Sequence, residues 1–364
     1  MRVTYADGTP LTAEDTVAPV NLFPHSLFQS IGIKINGQPC SDHARLYPYR
    51  AFAHINYALT TECKQSNLMA EHFIRDSINT TTENADPNTA EHKLRAGLIS
   101  ESKICKIVFQ PRIDTLSIKR YFPPTHRLTL EFIRTPSNFS LLSSVLNNYK
   151  IEILDLKLRV RQVLPVESVE NNFRKSLQTK PFHLPVTRLV TRTRSLCSGV
   201  YDGTIVNAVS GPLPHHIMVF LLSNAQLNGS VKSNPFFLGR RGLLHASLLV
   251  NSTEYPAEKL VYRESTGDVL RSYTFFNQNI GAVGDQTIGL NPSEYLRNQF
   301  ALAFDLTPDL SLNSSYQKQL EGSIDIKLIF ENALTEPLTV LYIMTYDNVI
   351  TVSSDKQLLL DYQV

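Results

Sequence analysis

The feature that most constrains this 364-residue chain is a hydrophobic period of two. In residues 127–132, Leu128, Leu130 and Phe132 alternate with Arg127, Thr129 and Glu131. In residues 154–161, Leu154, Leu156, Leu158 and Val160 alternate with Asp155, Lys157, Arg159 and Arg161. Ile324, Ile326, Leu328 and Phe330 repeat the pattern, as do Phe300, Leu302, Phe304 and Leu306. Successive side chains of a strand point to opposite faces, so such runs bury one face and wet the other. That is the behaviour of antiparallel sheets. Each of these rows of alternate apolar residues is therefore expected to line a core.

The rest of the chain punctuates those strands. Ile31, Ile33 and Ile35 alternate with Gly32 and Lys34, and Asn36-Gly37 follows as a hairpin-turn dipeptide. Residues 217–222 (IMVFLL) are apolar on both faces and read as a central strand, with another strand at 243–250. Residues 338–352 (LTVLYIMTYDNVITV) read as two strands joined by a turn near Asp347 and Asn348. Helical stripes are few and short: Phe52, Ile55 and Leu59; Val166, Val169, Phe173 and Leu177; Val269, Tyr273 and Phe276. The helix at 166–177 is polar outside and lies between two strand-rich halves, so it reads as a connector. Residues 63–103 are polar and read as a long surface excursion.

Composition narrows the function class. Lys and Arg number 35 against 33 Asp and Glu, for a net charge of +2, and charged residues make up 19%. No global basic field or genome-condensing arm is present, and no specific nucleic-acid site is evident. No run approaches the roughly 20 apolar residues of a transmembrane helix. The opening residues MRVTYADGTP hold no apolar signal core, so export through a signal peptide is not expected. The four cysteines, at 40, 63, 105 and 197, are too scattered for a zinc site and read as reduced thiols.

Motifs with chemistry are missing. The chain has no GxGxxG, Walker loop, HExxH or GxSxG. His215-His216 could ligate a metal, but adjacent strand residues point to opposite faces. Arg240-Arg241 in GRRG could hold a phosphate or simply make a charged turn. Arg188, Arg192 and Arg194 fall at even spacing, which could make one strand face basic, as an interface, as a nucleic-acid-facing patch or simply as a solvated face. Asp305 and Asp309 could pair as carboxylates, but Thr307-Pro308 between them favours a turn. No catalytic, cofactor-binding or metal-ligating residue is assigned, and no cofactor is expected. By elimination the chain is structural or binding.

Several blocks, in order and spacing, resemble a known family. They are residues 19–38 (PVNLFPHSLFQSIGIKINGQ), 47–59 (YPYRAFAHINYAL), 211–236 (GPLPHHIMVFLLSNAQLNGSVKSNPF), 300–311 (FALAFDLTPDLS) and 346–352 (YDNVITV). The chain resembles the double jelly-roll, hexon-like major capsid proteins of Polinton/Maverick elements and adintovirus-like viruses, often integrated in animal genomes. The resemblance implies an all-β chain of two tandem eight-stranded jelly-roll sandwiches, with a few short helices in loops and connector. Residues 1–165 would form the first jelly roll, 166–180 the helical connector and 181–364 the second. It also implies a structural role. Homotrimers would form pseudo-hexameric capsomers of an icosahedral shell and meet neighbouring capsomers and penton or minor capsid proteins. The protein would reside in the virion after intracellular assembly. The excursion at 63–103 and the loop at 233–242 are expected to build intersubunit contacts. Relatives carry one or two strands before the block matching MRVTYADGTP, so the first sandwich is expected to lack an early strand. Relatives also often carry a Trp-containing motif after the helix near Leu59, where this chain has none.

Two rivals share the fold class. A jelly-roll carbohydrate-binding module is one; the absence of Trp counts against it, because sugars stack on aromatic rings. A glycoside hydrolase is the other; it needs two close carboxylates on an inner face, where this chain places Leu154, Leu156, Leu158, Ile324, Ile326 and Leu328.

Overall fold

The computed structural model describes residues 1–41, 45–118, 120–122, 126–263, 267, 269–282, 287–307, 320–353 and 357–362. The first half contributes β1 (Arg2–Tyr5), β2 (Ala18–Pro19), β3 (Phe28–Ile35), β4 (Gln38–Pro39), β5 (Leu128–Arg134), β6 (Leu141–Leu142) and β7 (Tyr149–Glu152). They pair as β1–β7, β2–β6 and β4–β3–β5, all antiparallel. The β3–β4 hairpin turns at Asn36 (φ 51°) and Gly37 (φ 89°). Both take the left-handed backbone that a two-residue hairpin turn demands, as the Asn-Gly pair predicts. Ile31, Ile33 and Ile35 are buried.

The second half contributes β8 (Phe182–Leu196), β9 (Ile205–Pro212), β10 (His216–Ser223), β11 (Leu243–Val250), β12 (Thr253–Val261), β13 (Leu302–Asp305), β14 (Glu321–Phe330), β15 (Leu338–Val352) and β16 (Leu358–Leu360). One sheet runs β8–β15–β10–β13, and the other β9–β14–β11–β12. Each sheet interleaves strands distant in sequence, which is the crossing pattern of a jelly roll. Ile324, Ile326, Leu328 and Phe330 from β14 meet Ile217, Val219 and Leu221 from β10 in one core. The alternating pattern of β14 predicts its buried face correctly. β10 is central, as its apolar run requires, with β13 on one side and β15 on the other.

The short helical elements are α1 (Phe23–Ser26), α2 (Tyr47–Ala58), α3 (Thr61–Gln65), α4 (Ala90–Gly97), α5 (Ser137–Ser140), α6 (Glu167–Thr179), α7 (Asn224–Asn228), α8 (Val269–Asn279) and α9 (Pro292–Arg297). α2 is buried on nearly every side, which places it inside the molecule rather than on it. Its Tyr49, Phe52, Ile55 and Tyr57 belong to the core of the second sandwich. Phe52 stacks on Phe236 at 4.7 Å between ring centroids. The Tyr57 hydroxyl donates to the Gln299 carbonyl at 3.1 Å, and the Tyr49 hydroxyl to the Gln226 carbonyl at 3.0 Å.

Three sequence expectations are corrected. Residues 338–352 form one strand with no turn at Asp347-Asn348, because β8 pairs with β15 along its whole length, from Leu338↔Leu196 to Val352↔Phe182. β15 passes from one core to the other: Val340 and Leu341 pack in the second sandwich, while Ile350 and Val352 pack with Ile33, Ile35 and Leu184. Residues 154–160 are not a strand at all, and their leucines are exposed. The excursion at 63–103 is less superficial than its polarity suggests, since Leu68, Glu71, His92 and Arg95 are buried in it. The loop at 233–242 is anchored within the chain through the buried side chains of Phe236, Phe237 and Leu238.

Candidate assembly surface

A buried set of titratable groups lies around His25, on α1. Its Nδ1 is 2.8 Å from the Tyr47 hydroxyl and its Nε2 2.9 Å from a Glu71 oxygen. Glu71 also accepts from the Gln110 amide at 3.1 Å and the Arg112 guanidinium at 3.2 Å. Burial pushes the His25 imidazole down, against the pull of Glu71. Burial draws Glu71 upward, but His25, the Gln110 amide and Arg112 hold it below its usual range. His25 is fully enclosed and both ring nitrogens are engaged, so the cluster pins α1 and α2 to residues 110–112 and offers no face to a substrate. Nearby, Arg50 pairs with Asp114 at 2.6 Å, and the other Asp114 oxygen accepts from the Leu189 amide at 2.8 Å. That contact fastens the first half to β8.

Most of the residues singled out by sequence are taken up structurally. Arg240 pairs with Glu331 at 3.0 Å, and Arg241 pairs with Glu83 and donates to Gln226 at 2.8 Å. Neither guanidinium is left for a phosphate. His215 lies 3.6 Å from Asp347, and its neighbour His216 pairs across the sheet with Thr345 and Asp305. Among the described residues no group of three or more His, Cys, Asp or Glu could hold a metal. Asp305 is buried and accepts from the Thr307 amide at 2.8 Å, closing a local turn; Asp309 lies outside the described residues. The basic row on β8 divides. Arg188 stacks over Tyr346 at 5.1 Å and Tyr362 at 4.6 Å and donates to Asn348 at 3.0 Å, whereas Arg192 and Arg194 are exposed. All four cysteines are free thiols, with Cys40 and Cys105 buried and Cys197 exposed.

What the surface does present is apolar chain without a partner. Leu154, Leu156, Leu158 and Val160 are 51–66% exposed, and Leu164 is 94% exposed. Val166 and Val169, at the start of α6, are exposed too, and α6 buries none of its residues. Residues 153–166 thus form an arm that belongs to no helix or sheet. β5 pairs with β3 on one side only among the described residues, and its Leu128 and Ile133 are exposed. Sequence reasoning found the arm's alternation but assigned its apolar face to the interior. The missing signal was a partner strand: alternation specifies a two-faced strand and says nothing about which chain supplies its neighbour.

No family model matches the chain. An uncharacterised protein of Caenorhabditis elegans is 20% identical over 338 residues, covering 88% of this chain and 76% of that protein. A chain from the structure of the Sputnik virophage superposes with a TM-score of 0.55 at 12% identity, over 100% of this chain and 81% of its own length. A chain of the PBCV-1 virus capsid gives 0.51 at 10% identity, over 100% and 88%. The fold is an all-β double jelly roll. In this double jelly roll, β8 and β15 run through both sandwiches, and α2 plugs the first half into the second. No helix among the described residues is long and apolar enough to cross a membrane.

Proposed function

We propose that this protein is a structural major capsid protein that associates as a homotrimer into pseudo-hexameric capsomers of an icosahedral shell. The observation that carries this reading is a double jelly-roll fold along the chain, shared with viral capsid chains, whose polar clusters are spent on folding while an apolar arm stands open. The protein acts by assembly and not by catalysis. Its site of action is the virion, and its further partners are neighbouring capsomers and penton or minor capsid proteins. The ordered blocks around Pro19, Tyr47 and Gly211 favour the Polinton/Maverick and adintovirus-like lineage. A related chain encoded in an animal genome supports that placement. Residues 1–165 and 181–364 serve as the two jelly rolls, with 166–180 as connector and with β8 and β15 as shared strands. Trimerisation around a three-fold makes every contact heterologous, so one copy offers two different surfaces.

The test is the native mass of the purified protein by light scattering after size exclusion. A stable species of three times the 41.0 kDa chain is expected. A clean monomer that binds glycans on an array would overturn the capsid reading in favour of a carbohydrate-binding module.

A further inference from the structure

We infer that residues 153–166 are an exchange arm that adds a strand to the open edge of β5 on a second copy of this chain. The inference rests on the self-assembly reading above and names the surfaces that carry it. Three observations support it.

The first is area. The apolar side chains exposed from Leu154 to Val169 present on the order of 800 Å², about what one partner contributes to a standard protein interface. A patch of that size is larger than monomeric surfaces usually leave uncovered.

The second is valence. The backbone of the arm lies in no ladder, and among the described residues the edge of β5 away from β3 pairs with no strand. Unpaired strand edges recruit further strands unless charge or proline blocks them. β12, an edge of the second sandwich, carries Pro256 and exposed charge at Glu258 and Lys259; β9, the other edge of that sheet, ends in Pro212. β5 has no proline between Leu128 and Arg134 and exposes Leu128 and Ile133.

The third is pattern. An antiparallel register with Val160, Leu158 and Leu156 beside Leu128, Leu130 and Phe132 continues one apolar row across the new pair. It sets Lys157 opposite Glu131, which already pairs with Lys34 on the far side. A slip by one residue would turn the leucines to the wrong face, so the register is specified. Among the described residues arm and edge are both unpaired in the same folded chain, so the occupant of one is the other on a neighbouring copy. Such a contact is heterologous, as a closed three-fold ring requires.

The experiment uses two proteins in a Cys197→Ser background, one with Lys157→Cys and one with Glu131→Cys. The two substituted side chains are 79% and 43% exposed, so folding is not at stake. Mixed and oxidised, they should give a reductant-sensitive species of twice the chain mass that neither forms alone. Leu156→Glu with Leu158→Glu should convert the assembly to monomer with unchanged circular dichroism and melting temperature. A trimer that yields no mixed cross-link would overturn the arm and leave the capsomer reading standing. A third protein that carries both substitutions, and whose cysteines join within one chain while the mixed pair gives no cross-link, would show the arm folding back on its own sheet and would also overturn it. A wild-type monomer would remove both.

Discussion

Replacing Phe236 by alanine should loosen the joint between the two halves of the chain. Phe236 is 2% exposed and reaches the second core from a loop. Its ring lies flat on Phe52 at 4.7 Å and 2° between planes, and meets Tyr49 at 6.0 Å and Phe139 at 6.3 Å edge-on. Tyr49 and Phe52 come from α2 and Phe139 from α5, so three of the four rings belong to the first half. Deleting a fully buried phenyl ring costs about 3–5 kcal/mol in transfer and cavity terms. The loss of a stacked pair adds about 0.5–1.5 kcal/mol. A total of about 3.5–6.5 kcal/mol is a large share of the roughly 5–15 kcal/mol that holds a domain folded. The assay is urea unfolding followed by circular dichroism and tyrosine emission, which no Trp obscures in this chain. The midpoint should fall with little change in slope. A double cycle of Phe52→Leu and Phe236→Leu should show coupling of about 0.5–1.5 kcal/mol. A Phe236→Ala loss below about 1.5 kcal/mol, together with zero coupling, would refute the clasp, because no large core ring can be removed so cheaply from a packed interior.

Three further outcomes follow from buried charge. Burial, with Arg75 nearby, holds the Lys64 ammonium down to about 7, where it donates to the Asn56 carbonyl at 2.5 Å and the Ile288 carbonyl at 3.0 Å. Between that value and its ordinary 10.5 the unfolded chain carries a proton that the folded chain lacks. Stability should therefore rise from pH 7 to 10 relative to Lys64→Met, and parallel curves for the two proteins would contradict it. His25, His72, His92 and His216 are all lowered from 6.5 chiefly by burial, so the unfolded state takes up protons first on acidification. The melting temperature should fall as pH drops from 6.5 to 5, and a flat profile would count against it. Arg188→Gln removes two cation–π contacts, worth about 0.5–2 kcal/mol each. Amide exchange in β16 should accelerate on the order of tenfold while β10 stays protected, and unchanged β16 protection would sink the idea that Arg188 pins Tyr362.

Much of the fold follows from local pattern. The β3–β4 hairpin is dictated by Asn36-Gly37, since only such residues take two left-handed steps cheaply. β14 and β10 are legible because burial on one face or on both leaves period-two or continuous apolar runs. The all-β character, the absence of catalytic motifs and the resemblance carried by ordered blocks were all available before any coordinates. What could not be read was partnership. Val340 and Ile350 sit on one strand yet serve different cores, because hydrogen bonding to β8 continues past Asp347-Asn348, and an Asp-Asn pair held in an unbroken ladder with β8 loses its preference for a turn. α2 looks like an amphipathic surface helix, but aromatic rings from the other half complete its burial. Leu154, Leu156 and Leu158 carry the same alternation as Ile324, Ile326 and Leu328, and only the second row is buried. Alternation determines that a segment has an apolar face; the tertiary structure decides what covers it, because burial is a property of the assembled surfaces and not of the strand.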